Sequence, residues 1–360
     1  MEKVYIKEKY TCSKIDSYLR PEFIYIPVDS SKYLVGDYIY KNDIIIDNIY
    51  SPISGYVRED IYMDINNKKT NCMVIENDYK EKCRKNNYVF EKEVFIDSLK
   101  SNGLIDIYDN YDIRYLVINA IDIEPYIFSK RVYIDRDASN LLCIINCIMM
   151  KLNIMEGIIA ITSDMLYDNL FNYIGTYPNI RIIKVDNYYP VGNNRLLLKE
   201  IFNIKYNITC LEKKIWVTDI LSLIDIDSII KKNIPKNETI ITIGGAGIKN
   251  TCLKVKIGTS IMEIINYLGG YKDNYIITIG GPLTGKRING DTIIMNDTKS
   301  IFVTKNNIIK EKECNLCGKC IGVCPVNLIP IFIMKNINKE NYLNKLNIDK
   351  CIDCSLCSYI

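Results

Sequence analysis

The spacing of the last seven cysteines constrains this chain more than any other feature. They read Cys314-x-x-Cys317-x-x-Cys320-x-x-x-Cys324-Pro325, followed by Cys351-x-x-Cys354-x-x-Cys357. Two residues between thiolates let a tight loop wrap one face of a cubane. Three further residues carry the next thiolate away to a second one. Repeated, this is the ligand pattern of a pair of [4Fe–4S] clusters. It assigns Cys314, Cys317 and Cys320 to one cluster, and takes Cys324 across to join Cys351, Cys354 and Cys357 on the other. Pro325 fixes φ as the chain leaves the crossing ligand. Structural zinc is held by paired C-x-x-C knuckles, a different spacing. Disulfides are not expected in a chain with no export signal.

The cluster of Cys314, Cys317 and Cys320 has three protein ligands in this sequence. The step from Cys320 to Cys324, applied to Cys357, lands on position 361, one beyond the 360 residues. The expectation is a selenocysteine at that position, encoded by a UGA read as a stop. Selenium is a soft ligand like sulfur. A plain stop or a gene-boundary error are the alternatives, and the next codon distinguishes them.

Composition narrows the chemistry. Histidine is absent, which removes imidazole bases, His metal ligands and Ser–His or Cys–His nucleophiles. The net charge of +3 is too small for a nucleic-acid surface. The other cysteines (Cys12, Cys72, Cys83, Cys143, Cys147, Cys210, Cys252) are scattered and read as reduced thiols, which fits a cytoplasmic location. No window approaches the roughly 20 apolar residues that cross a bilayer, so no direct membrane insertion is expected.

Taken in order, residues 20–60 read as short strands and turns. Val35-Gly36-Asp37 and Ser51-Pro52-Ile53-Ser54-Gly55 look like a barrel-sandwich hybrid of the lipoyl type, but its tip, Asp47-Asn48, carries no lysine to modify. Residues 61–95, polar and rich in Lys and Asn, read as a linker. Residues 112–205 alternate strands (115–118, 157–162, 180–185) with helices (138–151, 163–174, 193–202). This predicts a Rossmann-like parallel α/β sheet. Ser163-Asp164 reads as the cap of the second helix. Residues 215–290 give two strands, a helix ended by Gly269-Gly270 and a returning strand, a small β-grasp pattern. Gly244-Gly245-Ala246-Gly247 reads as a turn rather than a phosphate loop. Residues 331–349 read as a helix-containing spacer. The expected division is 1–95, 96–214, 215–300 and 301–360, in a multidomain α/β chain.

Three patches besides the cysteines carry a family resemblance. They are Asn119-Ala-Ile-Asp122-Ile-Glu124-Pro125-Tyr126, Tyr189-Pro190-Val-Gly192, and Gly280-Gly281-Pro282-Leu-Thr-Gly285. With the order barrel-sandwich, α/β, β-grasp (SLBB-like), two-cluster ferredoxin-like, the chain resembles the RnfC-like family. That family includes the C subunit of the Rnf ferredoxin:NAD oxidoreductase complex and the related proline-reductase-associated electron-transfer protein. The resemblance implies that Asn119, Asp122 and Glu124 stand where relatives wall FMN and NADH. In flavin-bearing members a glycine-rich loop precedes that wall. Here residues 102–111 keep one glycine and carry acids instead, so FMN and NADH are not expected.

These readings lead to an electron carrier with two [4Fe–4S] clusters rather than a stand-alone catalyst, delivering electrons to a redox partner, with proline reductase or Rnf subunits as the candidates. The alternatives are a peripheral subunit on the inner face of the membrane in an Rnf-type complex, and a structural adaptor with vestigial clusters.

Overall fold

The computed structural model describes residues 3–5, 12, 14–28, 32–46, 49–65, 68–84, 92–101, 104, 112–165, 167–204, 214–232, 234–272, 274–306 and 313–360. The expected lipoyl-type tip at Asp47-Asn48 lies outside these residues, as does the expected loop at 102–111 apart from Leu104. Among the described residues, no helix is long and apolar enough to cross a membrane.

The first strand, β1 (Ile15–Tyr18), leaves the N-terminal region and joins a distant sheet described below. Next come β2 (Phe23–Pro27), β3 (Tyr38–Ile39), β4 (Ile44–Ile46), β5 (Ile49–Tyr50), β6 (Gly55–Ile65) and β7 (Lys68–Asn77). They form a four-stranded sheet in the order β2-β7-β6-β3 and a small β4-β5 pair. Ile24, Ile26, Ile39, Ile53, Met73 and Ile75 fill the core between them. The linker expected over 61–95 is corrected here. Residues 55–77 are a long antiparallel hairpin. Its charged residues occupy the exposed positions of an alternating strand, so a polar composition concealed a two-sided pattern.

The α/β unit follows: α1 (Lys92–Ser101), β8 (Tyr115–Asn119), α2 (Ser129–Arg136), α3 (Ala138–Leu152), β9 (Glu156–Thr162), α4 (Asp168–Ile174), β10 (Ile180–Val185), α5 (Asn194–Phe202), β11 (Ile215–Asp219) and α6 (Ser222–Lys232). Its four strands are all parallel, in the order β10-β9-β8-β11. Strands buried on both faces need the continuous apolar runs seen in β8 and β9. Helix α4 begins at Asp168, later than expected, and Asp164 instead accepts a hydrogen bond from Asn187 Nδ2 (2.8 Å). Asn193 does cap α5, accepting from the Arg195 N–H. The expected boundary at 214 moves, because β11 pairs with β8 and α6 packs into the same core.

The third unit contains β12 (Glu238–Gly244), β13 (Thr251–Lys256), α7 (Ile261–Tyr267), β14 (Tyr275–Ile279), β15 (Lys286–Arg287) and β16 (Ser300–Lys305). With β1 at its edge it makes a six-stranded sheet, β1-β13-β12-β16-β14-β15. The Gly244–Gly247 turn lies against β16. Gly245 has a φ of 117°, and a Cβ there would strike the Val303 carbonyl. Close backbone packing therefore explains this glycine.

The cysteine segment ends the chain with α8 (Lys319–Val323), α9 (Pro330–Lys335), α10 (Glu340–Lys345) and α11 (Leu356–Tyr359). The spacer between the motifs holds α9 and α10. Val326, Leu328 and Cys324 pack against Leu196 of α5, and Val323 and Leu356 pack against Tyr189. These contacts seat the segment on the α/β unit.

Candidate electron-transfer site

The two cysteine motifs share a backbone. Leu316 and Gly318 have φ of 60° and 76°. Asp353 and Ser355, at the equivalent places in the second motif, have 52° and 58°. Left-handed conformations are uncommon outside glycine, so their recurrence at matched positions marks one loop built twice. Each loop then enters a short helix, α8 or α11.

Cys324 is brought to the second loop. Burial pushes the Cys354 thiol up to about 11, and Cys357, Cys324 and Cys351 all push it the same way. Cys324, Cys351 and Cys357 therefore each lie within electrostatic reach of Cys354. The Cys324 sulfur accepts the Leu328 N–H at 3.2 Å, the kind of contact that tunes a cluster's potential. Cys314 and Cys317 are exposed and Cys320 is half-buried, all three on the first loop. Among the described residues, no three His, Cys, Asp or Glu side chains converge on a point where one metal ion would sit. A four-iron cluster spreads its ligands over its corners and does not require such convergence. An all-sulfur donor set on paired loops fits the group.

Beside the segment, at the carboxyl ends of β8 and β9, is a cavity of about 240 Å³ lined by Asp122, Glu124, Arg131, Asp164 and Tyr189 among others. The structure brings the three patches noted in the sequence together at this place. Asn119 Nδ2 donates to the Gly192 carbonyl (2.8 Å) and Asn194 Oδ1 (2.7 Å), and its Oδ1 accepts from the Ile121 N–H (3.1 Å). Asp122 accepts the Lys130 N–H and pairs with Arg131 Nε, each at 3.0 Å. Burial nonetheless pushes Asp122 up to about 6. Glu124 accepts from the Leu283 N–H (2.8 Å), the Thr284 N–H (3.3 Å) and the Thr284 hydroxyl. Gly281 is glycine because a Cβ would collide with the Glu124 carboxylate. All three residues expected to wall a flavin are thus engaged within the protein.

Two contributors escaped the sequence reading. Ligands of open α/β sheets favour the point where strand order reverses, which here lies between β8 and β11. Lys130 Nζ fills it, paired with Asp219 at 2.8 Å and reaching the Asn119 carbonyl at 3.4 Å. No motif marks that lysine. Tyr189 was visible in the Tyr-Pro patch, but its role was not. Its buried hydroxyl donates to the Cys354 carbonyl at 2.6 Å, joining the cavity wall to the second cysteine loop.

A family model described as the Nuo51 FMN-binding domain matches residues 103–234. One described as a 4Fe-4S dicluster domain matches residues 306–360. The C subunit of the ion-translocating oxidoreductase complex of Buchnera aphidicola is 25% identical over 92% of this chain and 76% of its own length. These matches support the resemblance to the RnfC-like family. A further relative is the C subunit of the proton-translocating ferredoxin:NAD(+) oxidoreductase complex of Clostridium ljungdahlii. It is 25% identical over 63% of this chain and 51% of that protein. The Na(+)-translocating counterpart of Acetobacterium woodii is 25% identical over 66% and 54%. The chain matches about half the length of these last two.

Proposed function

We propose that this chain is an iron–sulfur electron-transfer subunit of an Rnf-type ion-translocating oxidoreductase complex. The observation that carries the proposal is one loop backbone built twice around the two cysteine triplets, with Cys324 within electrostatic reach of Cys354. Cys324 and the second loop hold one [4Fe–4S] cluster. Cys314, Cys317 and Cys320 supply three ligands to another. Bound there, the clusters supply one-electron transfer. The named relatives are subunits of ion-translocating complexes. They favour this reading over proline reductase as the partner.

The α/β unit serves as the scaffold that seats the cysteine segment, without FMN or NADH at its strand ends. The engagement of Asn119, Asp122 and Glu124 and the position of Lys130 support this. We read the first four-stranded sheet as the barrel-sandwich unit and the six-stranded sheet as the SLBB-like unit, with boundaries shifted by β1 and β11. Exposed Leu316, Ile321, Phe332, Met334, Ile337 and Tyr342 on the cysteine segment offer an apolar surface to a partner subunit. Such a partner would hold the chain at the cytoplasmic face of the membrane.

The test is anaerobic purification with iron, acid-labile sulfide and flavin assayed together, and affinity capture of the complex from membranes. Two clusters per chain, no flavin and recovery of membrane subunits are expected. Iron well below one cluster per chain would leave the adaptor reading standing. Stoichiometric flavin would overturn the scaffold assignment alone.

A further inference from the structure

A second cavity, of about 230 Å³, lies where the first sheet, α6 and the β12–β13 pair meet. It is remote from the cysteine segment, and no step of electron transfer uses it. Its walls carry four lysines, Lys41, Lys236, Lys254 and Lys299, against two carboxylates, Asp225 and Glu238. Lys41 is paired with Glu81 at 2.7 Å, Lys254 with Glu238 at 2.7 Å, and Lys236 with Asp225 at 3.3 Å. Lys299 is the remainder. Among the described residues, no carboxylate oxygen lies within ion-pair distance of its ammonium group.

The electrostatics around Lys299 are incomplete in a specific sense. Burial pushes its pKa down, Asp219 and Asp225 draw it back up from a distance, and Lys236 and Lys130 push it down again. Asp219 is already committed to Lys130. Burial also pushes Asp225 up to about 6, which weakens it as a counter-ion. A desolvated ammonium costs stability unless an anion compensates it, and here the protein supplies none at contact. The cavity beside it is enclosed by three structural units, a common setting for small-molecule sites. Its volume is below the range of about 300–1,000 Å³ that holds drug-sized ligands, so the occupant is compact.

We infer that this inter-unit cavity is a binding site for a compact phosphate-class anion, with Lys299 as its principal cation and Lys236 and Lys41 at its rim. Inorganic phosphate and the phosphate of a small monoester share that chemistry. The site is independent of cluster content.

The experiment is titration of the full chain with inorganic phosphate and, separately, glycerol phosphate. Chloride at matched ionic strength is the reference, with binding followed by calorimetry and thermal unfolding. Saturable binding and a raised unfolding temperature beyond the chloride reference are expected. Tighter binding of one probe identifies the source of the phosphate. Lys299→Gln should weaken binding by about tenfold, the loss of one charge-assisted contact. Lys299→Arg should retain it and covers the case in which the glutamine variant folds poorly. Lys272→Gln, an exposed lysine elsewhere, should change nothing. No saturation above chloride, or an equal loss in Lys272→Gln and Lys299→Gln, would overturn the site.

Discussion

At the carboxyl ends of β8 and β9, the polar side chains expected to face a ligand are hydrogen-bonded within the protein. Asn119 and Glu124 each hold a neighbouring loop, and Asp122 holds the start of α2. In the cysteine segment packed beside them the side chains of interest are thiols, grouped on two matching loops and seated by apolar contacts. The two regions touch through Tyr189. On the proposed reading, the difference separates a framework from a cofactor site. In the framework, hydrogen bonds between patches distant in sequence fix the position of the other region. In the cysteine segment, soft donors remain for a group that the protein does not itself provide.

The sharpest way to break this comparison is to remove a thiol. Cys354→Ser should lose the cluster held by Cys324, Cys351, Cys354 and Cys357, lowering iron and sulfide by about half. Iron assay and electron paramagnetic resonance of the reduced protein read it. An unchanged iron content would move the ligand assignment elsewhere. On the framework side, Glu124→Ala removes the carboxylate that accepts from the Leu283 N–H, the Thr284 N–H and the Thr284 hydroxyl. It should lower stability by about 3 kcal/mol, measured by urea unfolding. The exposed Glu59→Ala should stay within about 0.5 kcal/mol. If the two variants behave alike, Glu124 is not the staple its contacts describe.

The sequence made these two regions unequally legible. Ligand spacing is a one-dimensional property, so the cysteine loops could be read directly. The strands of the α/β unit announced themselves as apolar runs. What escaped depends on contacts far apart in the chain. Strand β11 joins β8 across about a hundred residues, with Asp219 beside Asn119, and no local period encodes that. The 55–77 hairpin was hidden by charged residues on its open face. Asn119, Asp122 and Glu124 could be singled out in the sequence as a patch. Their engagement became visible only with Gly192, Arg131 and Thr284 in place. Lys130 carries no motif, and its importance comes wholly from standing at the β8–β11 switch point.

A pH comparison sharpens the framework side further. Burial raises folded Asp122 from 3.8 to about 6, with Arg131 and Lys130 opposing the rise. Between those values the unfolded chain has released a proton that the native protein keeps. Stability from this group therefore falls as pH rises from about 4 to about 6 and stays low above that. Asp122→Asn removes the dependence. Whatever it loses in contacts with Arg131, its stability relative to the parent should improve by about 2 kcal/mol between pH 4 and pH 7. Paired urea unfolding at the two pH values measures it. A difference that does not vary with pH would place the Asp122 proton equilibrium outside folding.

The smallest effect tests the contact between the two regions. Tyr189→Phe keeps the ring among Val323, Leu356 and Leu283 and deletes one hydrogen bond, from the phenol to the Cys354 carbonyl. The cost in stability should be about 1 kcal/mol. The informative readout is spectroscopic. Cys354 belongs to the second loop, so only the cluster it shares with Cys324, Cys351 and Cys357 should change its midpoint potential or resonance signal. Among the described residues, Cys314, Cys317 and Cys320 have no comparable hydrogen bond to Tyr189, so their cluster serves as the internal reference. A change in that signal alone, or an equal change in both, would break the assignment of Tyr189 to one loop. A stability loss with neither signal moved would reduce it to packing. A shift confined to the second cluster would make the tyrosine the point at which the α/β framework acts on the redox chemistry.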